Sequence, residues 1–219
     1  MQQQHGPIIN SRKQFLLRGS TKIIVEFFEY CVNSLLFQRG LYAAEHFKMT
    51  KKYGLHMLVT TDPAVKEHMA NILKQVEEWL MVSKVEKLIL AVKSKETMAV
   101  LERWQFDIRN EKDDPSYTDN GASPSGSRAS APPKTEQQIQ EEIQAIMRQI
   151  TACVTFLPML DGKCTWTILC QAARDAEVPT TWSDADPHLI QNPEQVKLRS
   201  FSTNMHRVDA MVAYRLRDD

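Results

Sequence analysis

The sequence predicts an α+β fold, and three observations carry that prediction. Three segments repeat apolar residues at intervals of three and four, as an amphipathic helix does. Two short runs, VEKLILAV and VLERWQFDI, read as a hairpin across KSKETM, and the chain finishes with a second pair of strands. At 219 residues, with 42% hydrophobic and 25% charged content, composition is close to ordinary globular usage, and one domain is the simplest organisation.

The first helix is written in GSTKIIVEFFEYCVNSLLFQRG. Ser20 is its expected cap, and Gly40 suits the left-handed stop. Between them Ile24, Phe27, Phe28, Cys31 and Leu35, with Val32 or Leu36, give an apolar arc wide enough for a central helix. The second helix opens at Asp62, a good cap, with Pro63 in the first turn, where its missing N–H would have been an orphan anyway. Val65, Met69, Ile72, Leu73, Val76, Trp79 and Leu80 form its buried face.

VEKLILAV follows as a nearly continuous apolar run, the pattern of a strand covered on both faces. VLERWQFDI instead alternates Glu102, Trp104, Phe106 and Ile108 against Arg103, Gln105 and Asp107. The third helix starts at Thr135, which with Gln138 fits a capping box, and buries Ile139, Ile143, Ile146, Met147 and Ile150. Arg148 and Gln149 fall off that stripe and point toward solvent or a partner.

The remaining segments differ in character. Residues 110–134, NEKDDPSYTDNGASPSGSRASAPPK, hold almost no large apolar residue and are expected to be a disordered surface loop. ITACVTFLPML, 150–160, passes from helix-like to β-rich sequence, and its latter part is expected to be an apolar edge strand with unpaired backbone groups. CTWTILC alternates as a half-buried strand. RDAEVPTTWSDADPHLIQNPEQ then supplies three prolines and no sustained period, and a connection this long usually has a job. VKLRSFS and VDAMVAYRL, joined through TNMH, form the terminal pair of strands.

Composition and motifs exclude several function classes. Lysine plus arginine equals aspartate plus glutamate, 27 each, so no global field recruits nucleic acid or an anionic membrane. The start lacks an apolar leader-like run, and no stretch is apolar for long enough to span a bilayer, so a soluble, non-secreted protein is expected. Cys31, Cys153, Cys164 and Cys170 lie in apolar segments without a CxxC pair, which reads as buried reduced thiols rather than a metal site. No cofactor is expected. The six histidines are scattered, and no phosphate loop, GxSxG or HExxH is present, so catalysis is not expected. An apolar edge followed by a long tether with further strand material points instead to β-augmentation, in which a partner peptide adds a strand.

The runs LLRGSTKIIVEFFEYCVNSLLFQRGLY, KYGLHMLVTTD, VLERWQFDI, RQITACVTFLP and KLRSFSTNMHRVDAMVAYR span nearly the whole chain and resemble the HORMA domain of the mitotic-arrest-deficient checkpoint family. The resemblance implies a single HORMA domain over 1–219, with three helices packed on a three-stranded central sheet and a mobile C-terminal safety-belt hairpin, 175–219. It implies an open conformer, in which that hairpin covers the edge at 153–160. In the implied closed conformer the hairpin crosses to 100–108, and a ligand peptide takes the vacated edge at Cys153, Val154, Thr155, Phe156 and Leu157. By the same resemblance the belt includes Trp182, Val196, Leu198, Phe201, Val208, Val212 and Tyr214. Arg148, Gln149 and Phe156 match the contact between open and closed conformers, while Leu17 and Trp104 match positions that influence the conformer balance.

The role so implied is non-enzymatic: action in the spindle assembly checkpoint, restraining the anaphase-promoting complex through its mitotic activator. Implied partners are that activator, a coiled-coil kinetochore adaptor of the mitotic-arrest series, a checkpoint kinase-like component of an inhibitory complex, and a belt-remodelling ATPase with its HORMA adaptor. Self-association of open with closed conformer is also implied, in nucleus and cytoplasm and at unattached kinetochores. A HORMA adaptor in DNA repair or meiotic chromosome organisation is the alternative on the same fold. The 110–134 insertion looks longer than the family's corresponding loop.

Overall fold

The computed structural model describes residues 7–110 and 133–216, with side chains from residue 13 onward. Residues 111–132 of the expected disordered loop therefore lie outside the described residues. Helix α1, Pro7–Gln38, runs through the middle of the domain and buries Phe27, Phe28, Cys31, Val32, Leu35 and Leu36 almost completely. It begins well before Ser20, which corrects the expected cap. The Ser20 hydroxyl is occupied by tertiary partners, so it does not compete for the local backbone N–H groups that a capping serine would take. The stop is as expected: Gly40 adopts φ +62°, with Gly40 N–H donating to Phe37 O and Leu41 N–H to Leu36 O.

Strands β1, Phe47–Lys52, and β2, Leu55–Thr60, form a separate antiparallel hairpin that periodicity had not isolated. Its signal is the Tyr53-Gly54 pair, both at positive φ as a two-residue hairpin turn requires. Helix α2, Pro63–Met81, is capped by Asp62, whose carboxylate accepts the N–H groups of Ala64 and Val65.

The main sheet is antiparallel and contains β3, Val85–Ser94; β4, Val100–Asn110; β5, Cys164–Ala172; β6, Glu194–Ser202; and β7, His206–Tyr214, in the order β5-β3-β4-β7-β6. The three central strands are thus joined by the terminal hairpin, β6–β7, on the β4 side. The helix-facing row runs across the register as Ile168, Leu90, Trp104 and Val212, with Leu88, Phe106 and Ala210 beside it. Ile89, Ala91, Arg103 and Gln105 on the other face are buried as well. The clean alternation expected for β4 therefore fails, because chain beyond β5 covers its second face.

Helix α3, Glu136–Cys153, has the expected capping box at Thr135 and Gln138. It also overturns the expected edge strand at Cys153, Val154, Thr155, Phe156 and Leu157. Cys153 is the last residue of the helix and 154–157 is a turn, with the Thr155 N–H on Ala152 O and those of Phe156 and Leu157 on Cys153 O. The apolar stripe simply continues at helical spacing through buried Ile150, Cys153 and Leu157, and that burial outweighs the β-branched residues between them.

A buried ion pair joins three of these parts. Arg39, just past α1, reaches Glu102 of β4 through Nε at 2.8 Å and Nη2 at 2.5 Å, and Nη2 also donates to Pro158 O at 2.5 Å. The other Glu102 oxygen accepts the Trp104 indole N–H at 3.2 Å. Burial pushes the Glu102 carboxyl up, against the opposing pull of Arg39 and Trp104. Arg39→Met leaves that carboxylate without its cation in a dry site and should cost about 3–5 kcal/mol in urea denaturation. A loss below about 1 kcal/mol would show the pair to be dispensable.

His206, at the start of β7, is 2% exposed, and burial lowers its pKa to about 4 from 6.5. The unfolded chain therefore binds a proton near pH 6.5 that the folded protein refuses until about pH 4. Stability from this residue is complete above pH 6.5 and should fall as pH drops toward 4, by about 3 kcal/mol in all. Urea midpoints between pH 7.5 and 4.5 should decline more steeply in the wild type than in His206→Gln; parallel declines would refute the assignment.

Candidate functional site

Two edges bound the five-stranded sheet, and they differ in how they are covered. At the β6 edge, α3 runs alongside and its polar side chains reach the strand's backbone: Gln149 Oε1 accepts the Arg199 N–H at 2.6 Å and Glu142 Oε2 accepts that of Ser202 at 2.9 Å. The pairing of β6 with β7 shifts register between Lys197 and Ser200, and the Gln149 contact falls inside that irregularity. At the other edge, β5 pairs with β3 alone. One face of β5 is held by α2 and by the chain just past α1, with Trp166 Nε1 donating to Tyr42 Oη at 3.0 Å and the His68 ring edge-on to Trp166. Its outer backbone edge has no strand beside it among the described residues.

The expected belt begins where β5 ends. From Ala173 to Pro193 the chain forms no helix or strand, yet it is pinned at defined points. On the helix side, Lys84 Nζ holds Asp175 Oδ2 at 2.5 Å, the Trp79 indole donates to Glu177 O at 2.8 Å, and Trp182 packs edge-on against Trp79 at 4.8 Å between centroids. On the opposite face, Arg103 Nε donates to Pro187 O at 3.3 Å, and Lys93 Nζ lies 3.3 Å from His188 Nε2. His188 takes φ +50° with its N–H on Asp186 Oδ1 at 2.7 Å. The segment thus has one anchor on each side of the sheet, and β5 forms the margin between them.

The hairpin that follows is seated by apolar residues. Phe201 meets Phe27 at 4.8 Å between ring centroids; Val208 and Val212 are buried; Val196, Leu198 and Tyr214 pack partly against the core. Pairing of β7 with β4 runs from Glu102 opposite Tyr214 to Asn110 opposite His206, so the hairpin lies beside residues 100–108, the place expected of the closed conformer. Trp104 is fully buried and Leu17 is half-buried on α1. Arg148 is exposed on α3, beside the engaged Gln149, and Phe156 is 46% exposed with its ring 6.2 Å from that of Tyr214.

The family resemblance named the belt residues and, separately, the α3 pair, while the sequence put the strand edge at 153–157, where the structure has the helix end and a turn and the strand at the sheet's edge is β5. The sequence also missed Ser20, Lys134, Thr203 and His206, which hold the hairpin turn; none of them has a periodic signal. Burial pushes the Cys153 thiol up to about 11 and Cys170 to about 12, and raises Cys31 and Cys164 as well, so no thiolate is activated. Among the described residues, no group of three or more His, Cys, Asp or Glu is placed to hold a metal ion, and no helix is long and apolar enough to cross a membrane.

The family model for the HORMA domain matches residues 20–206. The mitotic spindle checkpoint component mad2 of Schizosaccharomyces pombe is 47% identical over 205 residues, covering 94% of this chain and 96% of its own. Among solved structures, a chain of the mitotic checkpoint complex matches with TM-score 0.79 at 46% identity, covering 90% of this chain and 99% of that one. C. elegans HTP-2, solved bound to a HIM-3 closure motif, has TM-score 0.68 at 13% identity over 91% of each chain and shares the fold. With the domain match spanning most of its length and near-complete overlap with a 47% identical relative, the chain belongs to the HORMA family, in the branch of the mitotic spindle checkpoint proteins.

Proposed function

We propose that this protein acts in the spindle assembly checkpoint as a peptide-binding switch, in which a partner segment adds as a strand to the outer edge of β5 and is enclosed by the 173–193 belt. The observation that carries the reading is the asymmetry of the two edges: β6 is sealed by α3 side chains, whereas β5 has a strand on one side only and a pinned belt beside it. Main-chain pairing along β5 supplies affinity, and pockets for alternate side chains supply selection.

In this reading the partners are the mitotic activator of the anaphase-promoting complex and the coiled-coil kinetochore adaptor of the mitotic-arrest series. A kinase-like component completes an inhibitory complex, and a belt-remodelling ATPase with its HORMA adaptor reverses closure. The hairpin beside β4 corresponds to the closed conformer, and an open conformer would carry it on β5 instead. Only one of the two occupants fits at that edge, so a peptide biases the balance by its differential affinity. The protein works as an adaptor, at unattached kinetochores and in nucleus and cytoplasm. Identity at 47% to a spindle checkpoint component over nearly the whole chain supports the checkpoint assignment over the DNA-repair and meiotic alternatives.

The test is a synthetic peptide with a basic residue, adjacent aliphatic residues and a following proline. Strand addition predicts protection of β5 amides in hydrogen exchange. Alternate N-methylation should abolish binding in one phase and spare it in the other, because a strand presents every second N–H to its neighbour. Equal tolerance of both phases would exclude strand addition.

The proposed conformer contact has its own test. Arg148 is exposed while its neighbour Gln149 is engaged with β6. Arg148→Ala should abolish self-association in analytical ultracentrifugation with peptide affinity changed by less than about threefold. Loss of both together would show that Arg148 supports the fold.

A further inference from the structure

The turn between β6 and β7 is gripped from two sides by residues that the peptide edge does not use. On the α1 side, Ser20 Oγ lies 2.6 Å from Thr203 Oγ1 and 2.6 Å from His206 Nδ1, across sequence separations of 183 and 186 residues. All three residues are almost fully buried. Thr203 Oγ1 donates to His206 O at 3.1 Å and accepts the N–H groups of Met205 at 3.2 Å and His206 at 2.9 Å.

Among the described residues, Ser20 Oγ is thus the body's one polar contact to His206 Nδ1, and His206 Nε2 is buried without a hydrogen-bond partner. Thr203 Oγ1 is held largely by its own turn, with Ser20 beside it.

On the α3 side, Lys134 exchanges bonds with Asn204 through its backbone, N–H to Oδ1 at 2.8 Å and O from Nδ2 at 3.3 Å. Its Nζ reaches Ser202 Oγ at 2.5 Å and Glu142 Oε1 at 2.6 Å, while Glu142 Oε2 accepts the Ser202 N–H. The ladder between β7 and β4 is backbone pairing that another sheet edge can offer. The bonds that Ser20, Glu142 and Lys134 Nζ make to the hairpin, in contrast, depend on particular side chains of the body and on the hairpin's place beside β4.

We propose that Ser20, Lys134 and Glu142 form a clasp on the hairpin turn that sets how long the terminal hairpin stays on β4. This rests on the reading above, in which the hairpin leaves β4 as a unit. When the hairpin detaches, water satisfies Thr203 and His206. When Ser20 loses its hydroxyl, Thr203 keeps its bonds within the turn, but His206 Nδ1 is left dry and without its partner in the attached state, so that penalty falls on attachment.

Hydrogen exchange of the full chain tests it, comparing amides of β6 and β7 with those of β3 in the wild type, Ser20→Ala and Glu142→Gln. Ser20→Ala should raise the ratio of hairpin to β3 exchange at least tenfold, and Glu142→Gln several-fold. A merely structural role would accelerate both regions together and leave the ratio unchanged, which would overturn the clasp. If Ser20→Ala does not fold, Glu142→Gln at the part-exposed side of the grip decides by the same ratio. Wild-type hairpin amides that exchange faster than β3, with no change in either variant, would reject the clasp and leave the switch standing. Wild-type hairpin and β3 amides exchanging as one unit would remove both.

Discussion

The pairing of β7 with β4 is the constraint from which the rest of the arrangement follows. Three central strands present two edges, and the chain has one terminal hairpin to cover them. With that hairpin on β4, the sheet's outer boundary moves to β6 on one side and stays at β5 on the other. An uncovered edge is a template for any extended chain, so each boundary has to be sealed or used. Gln149 and Glu142 seal β6 by occupying outward N–H groups. At β5 no such caps are present among the described residues, and the belt passes alongside instead. The polar side chains of one helix thereby cover one boundary of the sheet and leave the other without such caps among the described residues.

The two faces of the sheet hold the hairpin and the segment before it by different physics. On the helix face the hairpin offers Phe201, Val208 and Val212 to a core already built by Phe27, Trp104 and Phe106, so its attachment rests on non-directional burial. On the opposite face the belt rests on polar contacts: Arg103 to Pro187 O, Lys93 beside His188, and Asp186 to the His188 backbone. Polar contacts near water can be exchanged for hydration at small net cost. Under the proposed function, a segment that lifts to admit a peptide is better held this way than by a buried apolar anchor. Trp182 against Trp79, midway along the segment, and the buried Ile190 are the apolar exceptions.

Periodicity in the sequence located α2, α3, β5 and the terminal pair by a buried face, and β3 by its continuous apolar run, while β4 was located although its second face is buried as well. It failed at Ser20, where a residue with capping chemistry sits inside a helix because Thr203 and His206 take up its hydroxyl. It failed again at 153–157, where β-branched residues suggested a strand and the helical spacing of Ile150, Cys153 and Leu157 decided otherwise. Both errors share a cause: local preference was read without the partner that overrides it. The hairpin clasp was illegible for a stronger reason, since its members are separated by most of the chain and only the closing of the sheet brings them together.

The position of the hairpin also reaches the surface where the exposed α3 residues lie. Tyr214 stands opposite Glu102 in the β7–β4 register, and Glu102 is the carboxylate that holds Arg39 and the Trp104 indole. Arg39 in turn holds Pro158 O, in the chain just past Phe156. The Phe156 ring, nearly half exposed, rests near that of Tyr214. A strand that left β4 would remove Tyr214 from beside Phe156 while the Arg39 bond kept 158 in place. The exposed surface around Phe156 is therefore composed in part of the hairpin itself, so a surface that discriminates between two placements of the hairpin needs no long-range coupling, only contact with residues drawn from both.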